Sequence, residues 1–151
     1  MVLITDTSYF LVFGVAEMTH ALALSVVDKV ELAVEVTPFP EAPRVVIGAI
    51  NWRGQILPVL SMRRRLRVPE RSVIASDRII IVQSSRRRLG LMVDEIIGVR
   101  QIQRRDFTSA ESLSDGLGCL AGATRDNDGL VLIHDLELFL SQEDEKALGN
   151  L

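Results

Sequence analysis

The strongest constraint on the fold is an order of hairpin-like segments that occurs twice along the chain. Each copy begins with a short apolar run, a polar turn and a second apolar run, the pattern of a β-hairpin. These pieces are residues 9–13, 14–20 and 21–24 in the first copy and residues 78–82, 84–88 and 89–93 in the second. A Val-Asp-x-Val or Val-Asp-x-Ile step follows, at residues 27–30 and 93–96. The repeat predicts two related β units.

A second hairpin and a short helix complete each copy. Residues 48–49 and 54–60 provide the hairpin in the first copy, and residues 122–123 and 129–133 provide it in the second. Ser61 and Asp135 then stand where a helix N-cap is expected, each ahead of apolar residues spaced for one helical face. Short strands with Gly and Pro punctuation favour a small barrel over a sandwich.

The whole chain, residues 1–151, is therefore predicted to be a single domain with two approximate halves. The first barrel is assigned to residues 8–70 and the second to residues 76–140, with the terminal segments open to exchange between them. Residues 141–151 are predicted to form a C-terminal helix and tail, because Ser141 can cap a helix that Gly149 ends.

Two further segments receive local predictions. Val27 and Val30 are three residues apart, which predicts about two helical turns over residues 25–32. Residues 37–43 form a Pro-rich bend that cannot be a central strand, and Pro43 can open a helical turn through Ile47.

Composition narrows the class of protein. There is a single cysteine, so no internal disulfide can form, and no apolar run approaches the ~20 residues of a membrane span. Residues 1–6 lack the features of a signal peptide. We therefore expect a cytoplasmic protein with no direct membrane insertion.

The search for catalytic chemistry finds no candidate. His20, His134 and Cys119 have no metal-ligand spacing, and no phosphate-binding glycine motif occurs. His134 is interpreted as a strand-end residue beside the cap Asp135, and Cys119 as a buried packing residue. The sequence thus predicts no catalytic residue, no metal site, no cofactor and no enzymatic activity.

The charge distribution supports an alternative function. Residues 44–105 hold fourteen arginines and four acidic residues, between two acidic ends of a chain whose net charge is −3. Arginine runs at residues 63–65 and 86–88 would suit a small barrel that binds nucleic acid. Such binding also needs aromatic stacking platforms, and the basic segment has only Trp52. The other interpretation is that this charge is neutralised within the fold.

Residues 40–60 contain the most informative motif. They predict a Pro-rich bend followed by a hairpin. The tip of the hairpin is Asn51-Trp52-Arg53-Gly54, where Gly54 permits a positive φ. Arg53 is then held at the tip, where its guanidinium can reach a partner or form a local salt bridge.

The same segment resembles the CheW-like family, the coupling proteins of bacterial chemosensory arrays. The family pattern of a P-x-A-P bend, G-[VI]-[IT]-N-L-R-G and [VI]-[VIL]-P-[VI] is matched, in order and spacing, by Pro40, Ala42, Pro43, Gly48, Ile50, Asn51, Arg53, Gly54, Ile56, Pro58 and Val59. The resemblance extends over nearly the whole chain, from residue 10 to residue 140.

This resemblance implies a mainly β fold of two five-stranded SH3-like β barrels in tandem with short helices. It implies a non-enzymatic scaffold that couples the cytoplasmic tip of a methyl-accepting chemoreceptor to the regulatory domain of a CheA-like histidine autokinase. Such a protein would be cytoplasmic and recruited to membrane-associated receptor arrays, with no nucleic acid as partner.

The resemblance also implies a receptor-binding site. Its residues would be Val27, Val30, Gly48, Asn51, Arg53 and Gly54. The chain departs from the family pattern at three positions: Trp52 replaces the usual Leu, Ser61 a common Asp, and Lys29 a common acidic residue beside the receptor groove. The last change reverses a charge at the expected interface.

Overall fold

The structure, a computed structural model, describes residues 7–38, 40–112, 118–127 and 129–149. Residues 1–6, used for the signal-peptide prediction, and residues 150–151 of the predicted tail lie outside it. Eleven strands are present in the described residues: β1 (Thr7–Val15), β2 (Met18–Ala23), β3 (Val27–Leu32), β4 (Val46–Trp52), β5 (Gln55–Ser61), β6 (Arg78–Gln83), β7 (Arg88–Val93), β8 (Glu95–Gln103), β9 (Thr108–Ser109), β10 (Leu120–Asp126) and β11 (Gly129–His134).

The helices are short. The α-helices are α1 (Met62–Arg65) and α2 (Gln142–Leu148), and 3₁₀ turns occur at Leu24–Val26, Arg104–Asp106, Ala110–Ser112 and Leu136–Leu138. Among the described residues, no helix is long and apolar enough to cross a membrane. The predicted mainly β fold with short helices is confirmed.

The strands form two sheets with matching topology. One has the order β8-β1-β2-β11-β10-β9 and the other the order β3-β6-β7-β5-β4. If the two-residue β9 is left aside, both orders contain five strands. At each position the two sheets hold corresponding strands of the two repeats, for example β1 in one sheet and β6 in the other. In both sheets two hairpins meet through a parallel pair, β2 with β11 and β5 with β7.

The halves predicted at residues 8–70 and 76–140 do not match these sheets. β1 and β2 pair with β8 and β11, while β6 and β7 pair with β3 and β5. Each repeat thus places its first hairpin in the sheet completed by the other repeat, which is an exchange within one chain. The boundary near residues 70–76 separates the two repeats in the sequence but not the two sheets, and the exchange that was left open in the sequence is that of the first hairpins. Both hairpins carry the same apolar pattern, so the local sequence does not say which set of strands each one joins.

The largest hydrophobic core lies between the two sheets. β1 and β6 have both faces buried: Leu11 and Phe13 pack with Ile80 and Val82 in this shared core. The opposite faces of the same strands fill the barrel interiors, with Phe10 in one and Ile79 and Ile81 in the other. Because one continuous core joins the barrels, burial of apolar area stabilises them as a unit.

The predicted helix over residues 25–32 is wrong, since residues 27–32 form strand β3. The pairing of β3 with β6 shifts register between Val27 and Lys29, which marks a β-bulge. The extra residue allows Val27 and Val30 to be half-buried against the same core although they are three residues apart. A spacing of three in the sequence therefore came from a bulged strand. After Pro43 there is likewise only one turn before β4 begins at Val46.

The predicted caps are confirmed. Ser61 accepts a hydrogen bond from the Arg64 amide at the start of α1, and Asp135 accepts one from the Glu137 amide. Ser141 forms a capping box with Asp144, and Gly149 ends α2 with a φ of 60°.

Asp94 connects three segments where the chain passes from β7 to β8. Its carboxylate accepts a hydrogen bond from the Ala16 amide at 2.8 Å and pairs with Arg63 at 2.8 Å and Arg71 at 3.2 Å. Burial raises the pKa of Asp94, but the hydrogen bonds and charges of these donors outweigh it, so the pKa lies below its usual value.

Candidate functional site

The hairpin between β4 and β5 ends in a two-residue turn. Trp52 pairs with Gln55, and the residues between them, Arg53 and Gly54, have φ values of 50° and 82°. Positive φ at both central residues is the type I′ geometry that matches the twist of a hairpin. The Asn51 side-chain oxygen accepts a hydrogen bond from the Gly54 amide at 3.0 Å, which holds the turn closed. Asn51 and Gly54 therefore fix the backbone that presents Arg53.

Arg53 is exposed and lies over an aromatic ring. Its guanidinium carbon is 4.7 Å from the centre of the Trp52 indole. Within the described residues Arg53 forms no ion pair, unlike Arg88, which pairs with Asp28. The local salt bridge considered from the sequence is thus absent among these residues, and the positive charge at the tip of the turn is not neutralised by a carboxylate.

Trp52 is itself held from several sides. The indole N–H donates to Glu31 at 3.0 Å, and the ring is half-buried against the interior of the five-stranded barrel. The Arg88 guanidinium lies 5.4 Å from the ring centre and donates to Asp28 at 2.7 Å and Gln55 at 3.0 Å. Since β3 and β4 are the two edges of the sheet, the bond to Glu31 spans the seam where the barrel closes.

These contacts connect the turn to β3. Trp52 bonds directly to Glu31, and Arg88, which lies over its ring, bonds to Asp28. Asp28 follows Val27 and Glu31 follows Val30, so both contacts reach the bulged strand beside these valines. Lys29 is half-exposed and lies 3.7 Å from Glu31. The structure therefore places Asn51, Arg53 and Gly54 on one turn, with Val27 and Val30 on the strand across the seam.

Gly48 does not lie on this surface. It is buried, its φ is 153°, and a side chain there would collide with the Thr37 carbonyl oxygen. Thr37 exchanges two backbone hydrogen bonds with Ala49, so the Pro-rich bend packs directly on β4. The structural reason for glycine at this position is the close approach of two backbones.

Sequence reasoning missed the partners of Trp52 and several exposed apolar side chains. Arg88 and Asp28 are 60 residues apart, so no local pattern joins them. Ile56, opposite Asn51 in the hairpin, is 63% exposed, and Val99 on β8 is 54% exposed. Apolar residues in strands are expected to be buried, so their exposure gives no signal in a single sequence.

The two histidines and the cysteine form a buried row. His20 Nδ1 lies 2.9 Å from His134 Nε2, and His134 Nδ1 lies 3.5 Å from the Cys119 sulfur. All three side chains are buried, as predicted for Cys119, and His134 ends β11 as predicted. His134 uses both nitrogens within the row, so the three groups do not converge on one point. Among the described residues, no group of three His, Cys, Asp or Glu side chains could hold a metal ion.

Burial keeps both histidines neutral. It lowers the pKa of His20 from 6.5 to about 4, although the Val15 carbonyl and Asp94 oppose the shift. Burial, with smaller contributions from His20 and Arg65, lowers the pKa of His134 to about 3. A neutral, water-excluded pair is suited to packing rather than to exchanging protons with a substrate.

The two arginine runs are mostly engaged within the fold. Ion pairs join Arg63 to Asp94, Arg64 to Glu70, Arg87 to Glu145 and Arg88 to Asp28. Arg65 donates to the Leu138 carbonyl, while Arg86 is exposed without a side-chain partner in the described part of the chain. This pattern supports neutralisation within the fold over the nucleic-acid-binding alternative, which needs free cations along a groove.

Comparison with known proteins gives a consistent result. The family model described as CheW-like domain matches residues 9–144. The chemotaxis protein CheW of Treponema pallidum is 24% identical over 155 residues, covering 98% of this chain and 91% of that protein. The chemotaxis protein CheW of Bacillus subtilis is 31% identical over 100 residues, covering 66% of this chain and 64% of that protein.

A solved structure shares the fold. The crystal structure of the scaffolding protein TtCheW from Thermoanaerobacter tengcongensis superposes with a TM-score of 0.83 at 27% identity, covering 91% of this chain and 95% of that one. The predicted tandem of SH3-like barrels is thereby confirmed.

Proposed function

The chain belongs to the CheW-like family, and on that premise we propose that it is a non-enzymatic scaffold of bacterial chemotaxis that couples receptors to a histidine kinase. Its two partners would be the cytoplasmic tip of a methyl-accepting chemoreceptor and the regulatory domain of a CheA-like histidine autokinase. Binding to the receptor would recruit the protein to membrane-associated arrays.

The observation that carries the receptor assignment is the presentation of Arg53. A closed type I′ turn holds it at an exposed tip, and no ion pair within the described residues competes for its charge. Arginine is a frequent hot spot because it combines a flat apolar face with a fork of donors. A partner that supplies an acceptor would therefore gain a charge-assisted hydrogen bond without first breaking an existing pair.

Val27 and Val30 would supply the apolar part of the same interface. Both are half-buried, so each keeps some surface available across the seam from the turn. A receptor helix could lay apolar residues there while a polar residue reaches Arg53, which is the helix-in-groove mode of recognition. Gly48 would contribute only by keeping β4 and the Pro-rich bend in register.

The test is Arg53→Ala, measured against both partners. Because Arg53 is exposed, we expect the free energy of unfolding to change by less than about 1 kcal/mol. Receptor affinity should fall by about thirtyfold, or roughly 2 kcal/mol, if Arg53 is a hot spot. Kinase affinity should stay unchanged if the two partners use different faces.

Arg104→Ala provides the matched control, because Arg104 is an exposed arginine in a 3₁₀ turn outside the five-stranded sheet. It removes the same charge and should leave receptor affinity within about twofold. Equal affinities for wild type and a folded Arg53→Ala variant would remove Arg53 from the site. A large loss of stability would instead show that Arg53 is structural.

A further inference from the structure

We propose, on the basis of the receptor-binding role above, that Trp52 is a positioning and specificity-determining residue that orients Arg53 to bind a carboxylate side chain on the receptor hairpin. The site would therefore select receptors with an Asp or Glu at the position that faces the turn. Nothing in the family pattern requires this, because Trp52 stands where the family usually has Leu.

The first support is the geometry of the indole. The ring is fixed by its N–H bond to Glu31 at 3.0 Å and by packing on the barrel core. Cations are attracted to the face of a Trp ring, and Arg stacks on it with its plane. The carboxylate that accepts the indole N–H adds negative potential to the ring, so it strengthens this attraction. Arg53, 4.7 Å away, is therefore restrained although it is exposed.

The second support is the balance of charge at the turn. Arg88 also lies over the ring, at 5.4 Å, but Asp28 neutralises it, and Glu31 lies within 3.7 Å of Lys29. Arg53 is left as the cation of this cluster without a carboxylate partner among the described residues. Stacking engages the face of a guanidinium and leaves its N–H edge available, so the complementary group is a planar carboxylate bound by two donors.

The gain comes from pre-organisation. A free arginine side chain loses considerable rotamer entropy when it binds a partner, and a stacked one has already lost part of it. Leucine at position 52 would fill part of the same volume but would offer no π face and no N–H for Glu31. Receptor binding by the wild-type chain should therefore depend more strongly on Arg53 than receptor binding by the Trp52→Leu variant.

The decisive experiment is a double-mutant cycle between Arg53→Ala and Trp52→Leu, with the full chain and a chemoreceptor cytoplasmic hairpin from the same organism. Calorimetry should show that Trp52→Leu alone weakens binding about fivefold. In the Trp52→Leu background, Arg53→Ala should cost several-fold less than in the wild type, because the positioned state is already lost. Trp52→Phe, which keeps a π face, should give an intermediate result.

The partner side of the cycle tests the carboxylate. Each Asp and Glu at the tip of the hairpin is changed to Asn or Gln in turn. One of these changes in the hairpin should weaken binding to the wild-type chain as much as Arg53→Ala does. The same change should cause no further loss of affinity when it is combined with Arg53→Ala. Arg86→Ala, which removes an exposed cation from the neighbouring β6–β7 turn, should have no such coupling.

The outcomes separate this inference from the proposed function. If the wild-type chain does not bind the hairpin, the proposed receptor-binding role fails. If it binds, but the effects of Trp52→Leu and Arg53→Ala are simply additive, Trp52 does not position Arg53. If it binds and no acidic residue of the hairpin couples to Arg53, the carboxylate assignment is wrong.

Discussion

Removal of the Asp94 carboxylate should destabilise the protein strongly. Asp94→Ala leaves the Ala16 amide without its acceptor and takes from Arg63 two hydrogen bonds, at 2.8 and 3.1 Å. An unsatisfied part-buried amide costs about 1–3 kcal/mol, and a charge-assisted contact contributes a similar amount. Arg63 retains the Pro69 carbonyl and Arg71 retains Asp77, so part of the loss is recovered. We expect the free energy of unfolding to fall by about 3 kcal/mol.

The internal repeat supplies a control for this variant. Asp28 is the counterpart of Asp94 in the first Val-Asp-x step, but its side chain is 34% exposed and pairs with Arg88 at the surface. Asp28→Ala should cost less than about 1 kcal/mol. Urea unfolding gives both values, and the melting temperature should fall by about 6–12 °C for Asp94→Ala. If Asp94→Ala changes stability by less than about 0.5 kcal/mol, or if Asp28→Ala costs as much, the reasoning about this connection is wrong.

Two further predictions concern stability. The pKa values of His20 and His134 are lowered from 6.5 to about 4 and about 3, so the unfolded chain binds protons that the folded chain excludes. As the pH falls from about 6.5 toward about 4.5, the free energy of unfolding should therefore decrease by roughly 2–3 kcal/mol per pH unit. A urea midpoint that stays constant from about pH 7 to 5 would contradict this. Gly48→Ala should lower the free energy of unfolding by more than about 2 kcal/mol, because the added Cβ would collide with the Thr37 carbonyl. Gly54→Ala has open space around the added Cβ, so it should lower the same quantity by about 1 kcal/mol.

The repeat in the sequence identified the strands of its hairpins but not their partners. The first strand of each copy was predicted correctly: a run of apolar residues forms β1, and its counterpart forms β6. The exchange of hairpins depends on pairings such as β1 with β8, which join segments far apart in the chain. Such pairings follow from the fit of whole sheets and of the shared core, which local periodicity does not encode. For the same reason the bulge in β3 was interpreted as a helix.

The turn residues were predictable because their chemistry is local. Asn51 and Gly54 are three residues apart and bond to each other, so the sequence shows the turn and the tip position of Arg53 directly. The environment of Trp52 was not predictable, because Glu31 is 21 residues away and meets it only where the barrel closes. The local part of the site was thus available from sequence, and its tertiary restraint was not.

The function proposed for this protein is to hold a receptor and a kinase together. The most direct test immobilises a chemoreceptor cytoplasmic hairpin and measures capture of the purified kinase regulatory domain with and without the chain. We expect the chain to increase capture of the kinase domain severalfold. Arg53→Ala should abolish this increase and leave direct binding to the kinase domain intact. Capture that is the same with and without the folded wild-type chain would contradict the scaffold role.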